Sequence, residues 1–243
     1  MKTITFLIPA YNEEGNIEEL YNQISHNIES IQKYNLDSYK LRKPQKEDLA
    51  QLLKACQKNL SEKDKERITK AFKLCYLSHK RVKRASGEPY YYHPVEVAKI
   101  VAKKINMDVT SVVAALLHDT IEDTDVEVED IEYWFGNEVA NLIHGVTKIS
   151  GVFETRDAKQ AETFMKLMLS MVEDMRVILI KFADRLHNMR TIQYLAREKQ
   201  IQISSETMDL YAPLAHRFGL FAIKNELEDL CFKTIDPVSF RYV

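Results

Sequence analysis

Six glycines and six prolines are all the punctuation this 243-residue chain contains, and that shortage narrows its fold more than anything else. A β-sandwich or barrel turns often and needs turn residues at each corner. The chain shows helical spacing of apolar residues instead. In "EDLAQLLKACQKNL", Leu49, Leu52, Leu53 and Cys56 fall on one stripe. "PVEVAKIVAKKI" opens on a proline suited to a first helical turn and sets Val97, Ile100, Val101 and Ile105 on one side. "SVVAALLHD" and "MRVILIKFADRLHNM" are apolar almost all round, as core helices are. "ETMDLYAPLAHRFG" and "LFAIKNELEDLCFK" read as two more helices, parted near Gly219. The expected fold is an all-α bundle of about ten helices.

One stretch departs from this pattern. Residues 3–24, "TITFLIPAYNEEGNIEELYNQI", combine a short β-like run, a turn and an amphipathic helix. They resemble the opening of family-2 glycosyltransferases, but no second β–α unit and no acidic metal pair after a strand follows. A lone strand has no ladder partners, so residues 1–40 are read as an N-terminal strand–helix appendage without transferase activity. Polar "KYNLDSYKLRKPQK" (33–46) is the expected junction, residues 41–235 the main domain, and 236–243 the start of a linker.

The formal net charge is −2, so no bulk basic field exists to hold DNA, and an anionic ligand requires a local cluster of cations. Cys56, Cys75 and Cys231 are far apart and form no CxxC pair, which suits reduced thiols in a reducing compartment. No apolar run is long enough to span a membrane. Pro9 and the acids after it spoil a signal peptide. A cytoplasmic location is expected.

The chemistry is concentrated in "AALLHDTIEDTD", where an apolar run ends at His118 and Asp119, Glu122, Asp123 and Asp125 follow. On a continuous helix His118 lies over Glu122 and Asp119 over Asp123. Crowded carboxylates repel one another unless something positive stands among them, and imidazole with carboxylate is a ligand set for a divalent transition metal. Two other places offer further ligands. "SGEPYYYHPVEVA" puts His93 at the entry to a helix, and "IKFADRLHNMR" puts Asp184 in an otherwise apolar helix, where a lone aspartate is costly. Asn188 follows Asp184 by one turn.

His93, the pair His118–Asp119 and Asp184 match the H…HD…D pattern of the HD phosphohydrolase superfamily. The segments "RASGEPYYYHP", "ALLHDTIEDT", "FGNEVANLIHGVTKI", "KFADRLHNMRT" and "YAPLAHRFGLFAIKNELEDLCF" together resemble the hydrolase domain of RelA/SpoT-type proteins, which make and degrade the guanosine alarmones ppGpp and pppGpp. The resemblance implies an HD-domain bundle, one Mn²⁺ ion on His93, His118, Asp119 and Asp184, and Glu122 and Asp123 positioning and activating the attacking water. It implies guanine contact by Arg84 and a nucleotide pocket lined by Ser86, Asn188 and Thr191. The implied reaction removes the 3′-diphosphate as pyrophosphate, leaving GDP or GTP. Two departures from the family are visible: Ala85 stands where many members carry a second cation, and "PYYYHP" and "KFADRL" have aromatic residues at aliphatic positions.

The alarmone-synthesising half of bifunctional relatives lies beyond "ELEDLCF", and any ribosomal or regulatory coupling is expected only in a longer parent protein. The remaining alternatives are an HD phosphohydrolase for another nucleotide and a regulatory module that binds the alarmone without turning it over. His79, His144, His187 and His216 receive structural readings, His187 being at most an indirect support of the metal site. Lys80, Arg81 and Lys83 are read as solvated, and "KLMLSMV" as core.

Overall fold

The computed structural model describes Ser25 and residues 33–56, 60–150 and 174–242. The glycosyltransferase-like stretch at 3–24 and "KLMLSMV" lie outside the described residues. Among those residues the architecture is helical throughout, with no strand and a single isolated antiparallel bridge, Lys83 to Pro89. The helices are α1 (Lys43–Ala55), α2 (Glu62–Ser78), α3 (Tyr92–Ile100), α4 (Val109–Leu117), α5 (Thr120–Asp123), α6 (Val128–Phe135), α7 (Asn137–Ser150), α8 (Met175–Arg190), α9 (Arg197–Glu206), α10 (Ala212–Arg217) and α11 (Phe221–Ile235). None is long and apolar enough to cross a membrane.

The central element is α4, buried from Thr110 to Leu117 and packed by α2, α3 and α7. Its all-apolar sequence has no polar face to offer water, so it is surrounded. The start of α4 is fixed by Asp108, whose carboxylate accepts from the Ser111 amide at 2.8 Å, satisfying a donor the helix itself leaves unpaired. Asp174 caps α8 in the same way through the Arg176 amide at 2.8 Å. Helix α8 lies across α3, α7 and α11. Between α10 and α11 the chain turns at Gly219, whose φ of +71° places it in the left-handed region. The Leu220 amide there donates back to the Ala215 carbonyl at 2.9 Å, an ending that favours glycine.

Two helices carry wide turns. A π-helical turn over Val101–Ile105 extends α3, and another over Thr207–Tyr211 joins α9 to α10. Upstream of α1 the polar junction is not wholly solvated. Tyr34 and Leu36 are buried, with Tyr34 edge-on to Trp134 at 5.8 Å, and Lys73 donates to the Leu36 carbonyl at 2.7 Å. The core therefore begins before residue 41. Cys56, Cys75 and Cys231 are free and buried.

The register of α8 against α7 depends on Gly145. A β-carbon built there meets Val177 Cγ2 at 2.8 Å, and Val177 is buried and β-branched, with little rotamer freedom to yield. Gly145→Ala is expected to lower stability by about 1–3 kcal/mol, the clash outweighing a helix-propensity gain of about 1 kcal/mol. A urea midpoint equal to that of the wild type would show that α8 can shift without cost.

Candidate functional site

Three segments meet at the base of the bundle. His93 is the second residue of α3, Asp184 stands in the middle of α8, and His118 and Asp119 occupy the junction of α4 and α5. That junction is not the continuous helix the spacing predicts. Helix α4 stops at Leu117 and a fresh turn starts at Thr120, with the Asp123 amide donating to the Asp119 carbonyl at 2.9 Å. Adjacent residues on one helix diverge by about 100°. The break lets His118 and Asp119 turn toward the same point. Glu122 and Asp123 are exposed on the short helix that follows.

Single ligand atoms of His93, His118 and Asp184 lie within 4.8 Å of one another. Asp119 closes the group, with Oδ2 3.4 Å from His93 Nε2 and Oδ1 3.0 Å from His118 Nε2. Asp184 Oδ1 is 3.2 Å from His93 Nε2 and 3.8 Å from His118 Nε2. His118 is wholly buried, and its Nδ1 faces the Ala115 carbonyl at 2.8 Å. Its Nε2 has no hydrogen-bond partner, for Asp119 approaches without the alignment of a hydrogen bond. A buried polar atom left unpaired and aimed among carboxylates fits the chemistry of a cation ligand.

The electrostatics agree. Burial opposes protonation of His118, yet Asp119 and Asp184 outweigh it and push its pKa up to about 10. Burial likewise opposes ionisation of the two aspartates, but His118 and His93 hold both well below the usual carboxylate range, helped at Asp184 by Lys181. The cluster calls for positive charge, and two imidazoles with two carboxylates fit a divalent transition ion.

Supporting contacts surround these four residues. Tyr90 donates its hydroxyl to Asp119 Oδ2 at 2.7 Å and stacks on buried His79, whose Nδ1 is 2.9 Å from the Cys75 carbonyl. Burial, together with Asp119 and Asp123, holds the Tyr90 phenol far above its ordinary range. Asp123 therefore lies near the Tyr90 hydroxyl, although exposed. Asn188 donates to Asp184 Oδ1 at 2.7 Å and accepts from Arg84 Nη2 at 2.9 Å. His187 is held neutral by burial and by the charges of His93 and Arg84, which lower its pKa to about 3.

Asp184, Tyr90 and Asn188 also form one wall of a cavity of about 630 Å³, a volume in the range of small-molecule sites. All four residues expected to bind nucleotide, Arg84, Ser86, Asn188 and Thr191, line it. Arg84 and Ser86 come from a tight loop closed by the Arg84 amide on the Glu88 carbonyl at 3.0 Å, with Gly87 at a φ of +85°. Thr191 spends its hydroxyl on the His187 carbonyl at 3.1 Å. Glu122 and Asp123 do not line this cavity.

Several lining residues lay outside the sequence reading. Lys83, read as solvated, faces the cavity with Lys181, Arg185 and Lys199. Lys181 is buried, 3.7 Å from Asp184 Oδ2. Arg185 pairs with Glu206 at 3.0 Å and covers the Tyr211 ring at 4.1 Å. The signal for both was present: Lys181 and Arg185 flank Asp184 within the buried helix, where unpaired cations are costly.

Tyr90→Phe is expected to weaken divalent-ion binding by about 10- to 100-fold, the usual effect of losing a group that orients a ligand. Unchanged affinity by calorimetry would show Asp119 to be oriented without the hydroxyl.

Comparison with known proteins places these features in a lineage. The chain is similar to the probable guanosine-3′,5′-bis(diphosphate) 3′-pyrophosphohydrolase of Synechocystis, 48% identical over 72% of this chain and 23% of that protein. It is also similar to the GTP pyrophosphokinase of Myxococcus xanthus, 48% identical over 73% and 24% respectively. The bifunctional (p)ppGpp synthase/hydrolase SpoT of Escherichia coli is 44% identical over 81% and 28%. The chain thus spans about a quarter of the length of these relatives. Among solved structures, that of a metazoan SpoT ortholog described as hydrolysing ppGpp shares the fold at a TM-score of 0.56 and 22% identity, covering 74% of this chain and 99% of that one. A family model described as HD domain matches residues 71–221. That match runs through all three segments that converge on the cluster and takes in more than half of the residues, so this chain belongs to the HD domain family.

Proposed function

We propose that the chain is a manganese-dependent pyrophosphohydrolase that removes the 3′-diphosphate of ppGpp or pppGpp, working in the cytoplasm through a catalytic unit of residues 41–235. The relatives carry both hydrolase and pyrophosphokinase names, so similarity alone does not choose between the two activities. What supports hydrolysis is the double position of Asp184, which is at once a member of the histidine–aspartate cluster and part of the cavity wall. A phosphate held against that wall lies beside the ligand set.

His93, His118, Asp119 and Asp184 would hold the ion. A bound divalent ion supplies Lewis-acid charge and a water of lowered pKa. Lys181, Arg185 and Arg84 offset the charge of the diphosphate in a chain whose overall charge gives no help. Arg84 presents a planar guanidinium to the base, which lysine does less well, and Ser86, Asn188 and Thr191 fix the sugar end. Glu122 or Asp123 accepts the proton of the attacking water. Water adds to the phosphorus next to the ribose, the bond from that phosphorus to O3′ breaks, and O3′ leaves as a hydroxyl with pyrophosphate as the second product.

The decisive assay is release of pyrophosphate and GDP from ppGpp by the purified chain, with Mn²⁺ and with a chelator. Manganese-dependent release is expected. A folded, metal-loaded protein that binds ppGpp without releasing pyrophosphate would overturn the reading in favour of a binding module. Asp119→Asn and His93→Ala are each expected to cut turnover by at least about 100-fold, beyond what loss of an indirect support costs. Near-normal activity in either would remove it from the ligand set. Arg84→Ala is expected to raise KM by about 10- to 100-fold, the worth of a charge-assisted hydrogen bond, while kcat changes little. A collapse of kcat at unchanged KM would assign Arg84 to the chemical step.

A further inference from the structure

Behind His93, on the side away from the carboxylates, stands a second imidazole. His187 is buried, and its Nδ1 is 2.7 Å from His93 Nδ1. The two rings meet at 47° with centroids 4.9 Å apart, so the contact is a hydrogen bond between ring edges and not a stack. Arg84 Nη1 lies 3.1 Å from the same His187 Nδ1.

These contacts fix which ring donates and which accepts between His93 and His187. A guanidinium can only donate. His187 Nδ1, receiving Arg84, therefore carries a lone pair, and the ring proton of neutral His187 sits on Nε2. A nitrogen 2.7 Å from that lone pair must bring the hydrogen, so His93 carries its proton on Nδ1. With Nδ1 engaged in that bond, Nε2 is the nitrogen of His93 that an ion can take. That atom points at Asp184 Oδ1, 3.2 Å away, and Asp119 Oδ2, 3.4 Å away.

We infer that His187 is a positioning residue for the metal site: by accepting from His93 Nδ1 it leaves Nε2 as the nitrogen that faces the ion. Metal-bound histidines ordinarily donate their second nitrogen to a carboxylate or carbonyl; here a third histidine takes that place. The arrangement also ties the loop bearing Arg84 to a metal ligand through one intervening ring. The inference rests on the metal reading of the cluster but not on the identity of the nucleotide.

Two measurements on the full chain test it, and neither uses a nucleotide. In metal-free protein labelled with ¹⁵N-histidine, His93 Nδ1 is expected to show the shift of a protonated ring nitrogen. A bare Nδ1 overturns the inference. The second is the Mn²⁺ binding isotherm of two variants. His187→Asn places a carbonyl oxygen where Nδ1 stood and keeps the acceptor, whereas His187→Gln moves the amide one bond farther on. Gln is expected to weaken Mn²⁺ binding by about 10- to 100-fold and Asn to restore most of the loss. Equal affinities in the two variants, whether both normal or both weak, overturn it. If ppGpp is not hydrolysed while the ¹⁵N shift and the Asn–Gln difference hold, the proposed substrate is wrong and His187 keeps its role.

Discussion

Asp119 and Asp184 are two carboxylates in a pocket that excludes most water, and both are ionised there because His93 and His118 face them. Isolated buried charges of that kind cost several kcal/mol each. The surrounding structure can be understood as the means of making the cost tolerable. Asn188 and Tyr90 each donate a hydrogen bond to one carboxylate, and Lys181 stands behind Asp184. Every one of these contacts orients an oxygen as well as stabilising it. The same set that keeps the aspartates charged also aims them.

Rigid elements deliver the cluster. Asp184 cannot move without α8, and α8 is held against α7 at Gly145, where side chain on one helix meets bare backbone on the other. His93 enters on α3, whose packing is secured by the aromatic run before it. Tyr91 is buried edge-on to Phe72 and Tyr76 and passes its hydroxyl to Asp48 on α1 at 2.8 Å. The unusual tyrosines of "PYYYHP" thus change what holds α3 in place while leaving His93 where the chemistry needs it. The wide turn at Thr207–Tyr211 lies on the cavity side, and it brings Tyr211 under Arg185. Irregular turns of this kind are common where a helix must serve a site.

The bundle was legible in the sequence because apolar residues at helical spacing report which face is buried, and Leu49, Leu52, Val97, Ile100 and Val101 are all buried. The four clustered positions were legible for a different reason: a lone aspartate is costly in the apolar helix that carries Asp184, and with His93, His118 and Asp119 it completes the H…HD…D pattern. What the sequence did not carry was the break after Leu117. Nothing in "LLHDTIED" interrupts helical spacing, since neither Gly nor Pro marks the stop. Contacts distant in sequence likewise hid Tyr90, whose hydrogen bond reaches a residue 29 positions away. Tyr34 and Leu36 were hidden by their polar neighbours, which made a buried anchor look like a linker.

Charge was legible only in aggregate. A net charge of −2 excludes a broad basic field, and the cavity shows how a polyanion can still be accommodated. Lys83, Arg84, Lys181, Arg185 and Lys199 converge on one wall system against only Asp184 and Glu206. Burial strengthens the charge of Lys181 relative to the same residue on an open surface. Ala85 adds no cation to its loop, but Lys83, Lys181 and Lys199 come at the cavity from a loop and two helices. Cations that approach from several directions select for an extended ligand with charge at more than one place. A single phosphate satisfies one side of such a cavity; a ligand with separated anionic groups can engage several sides at once.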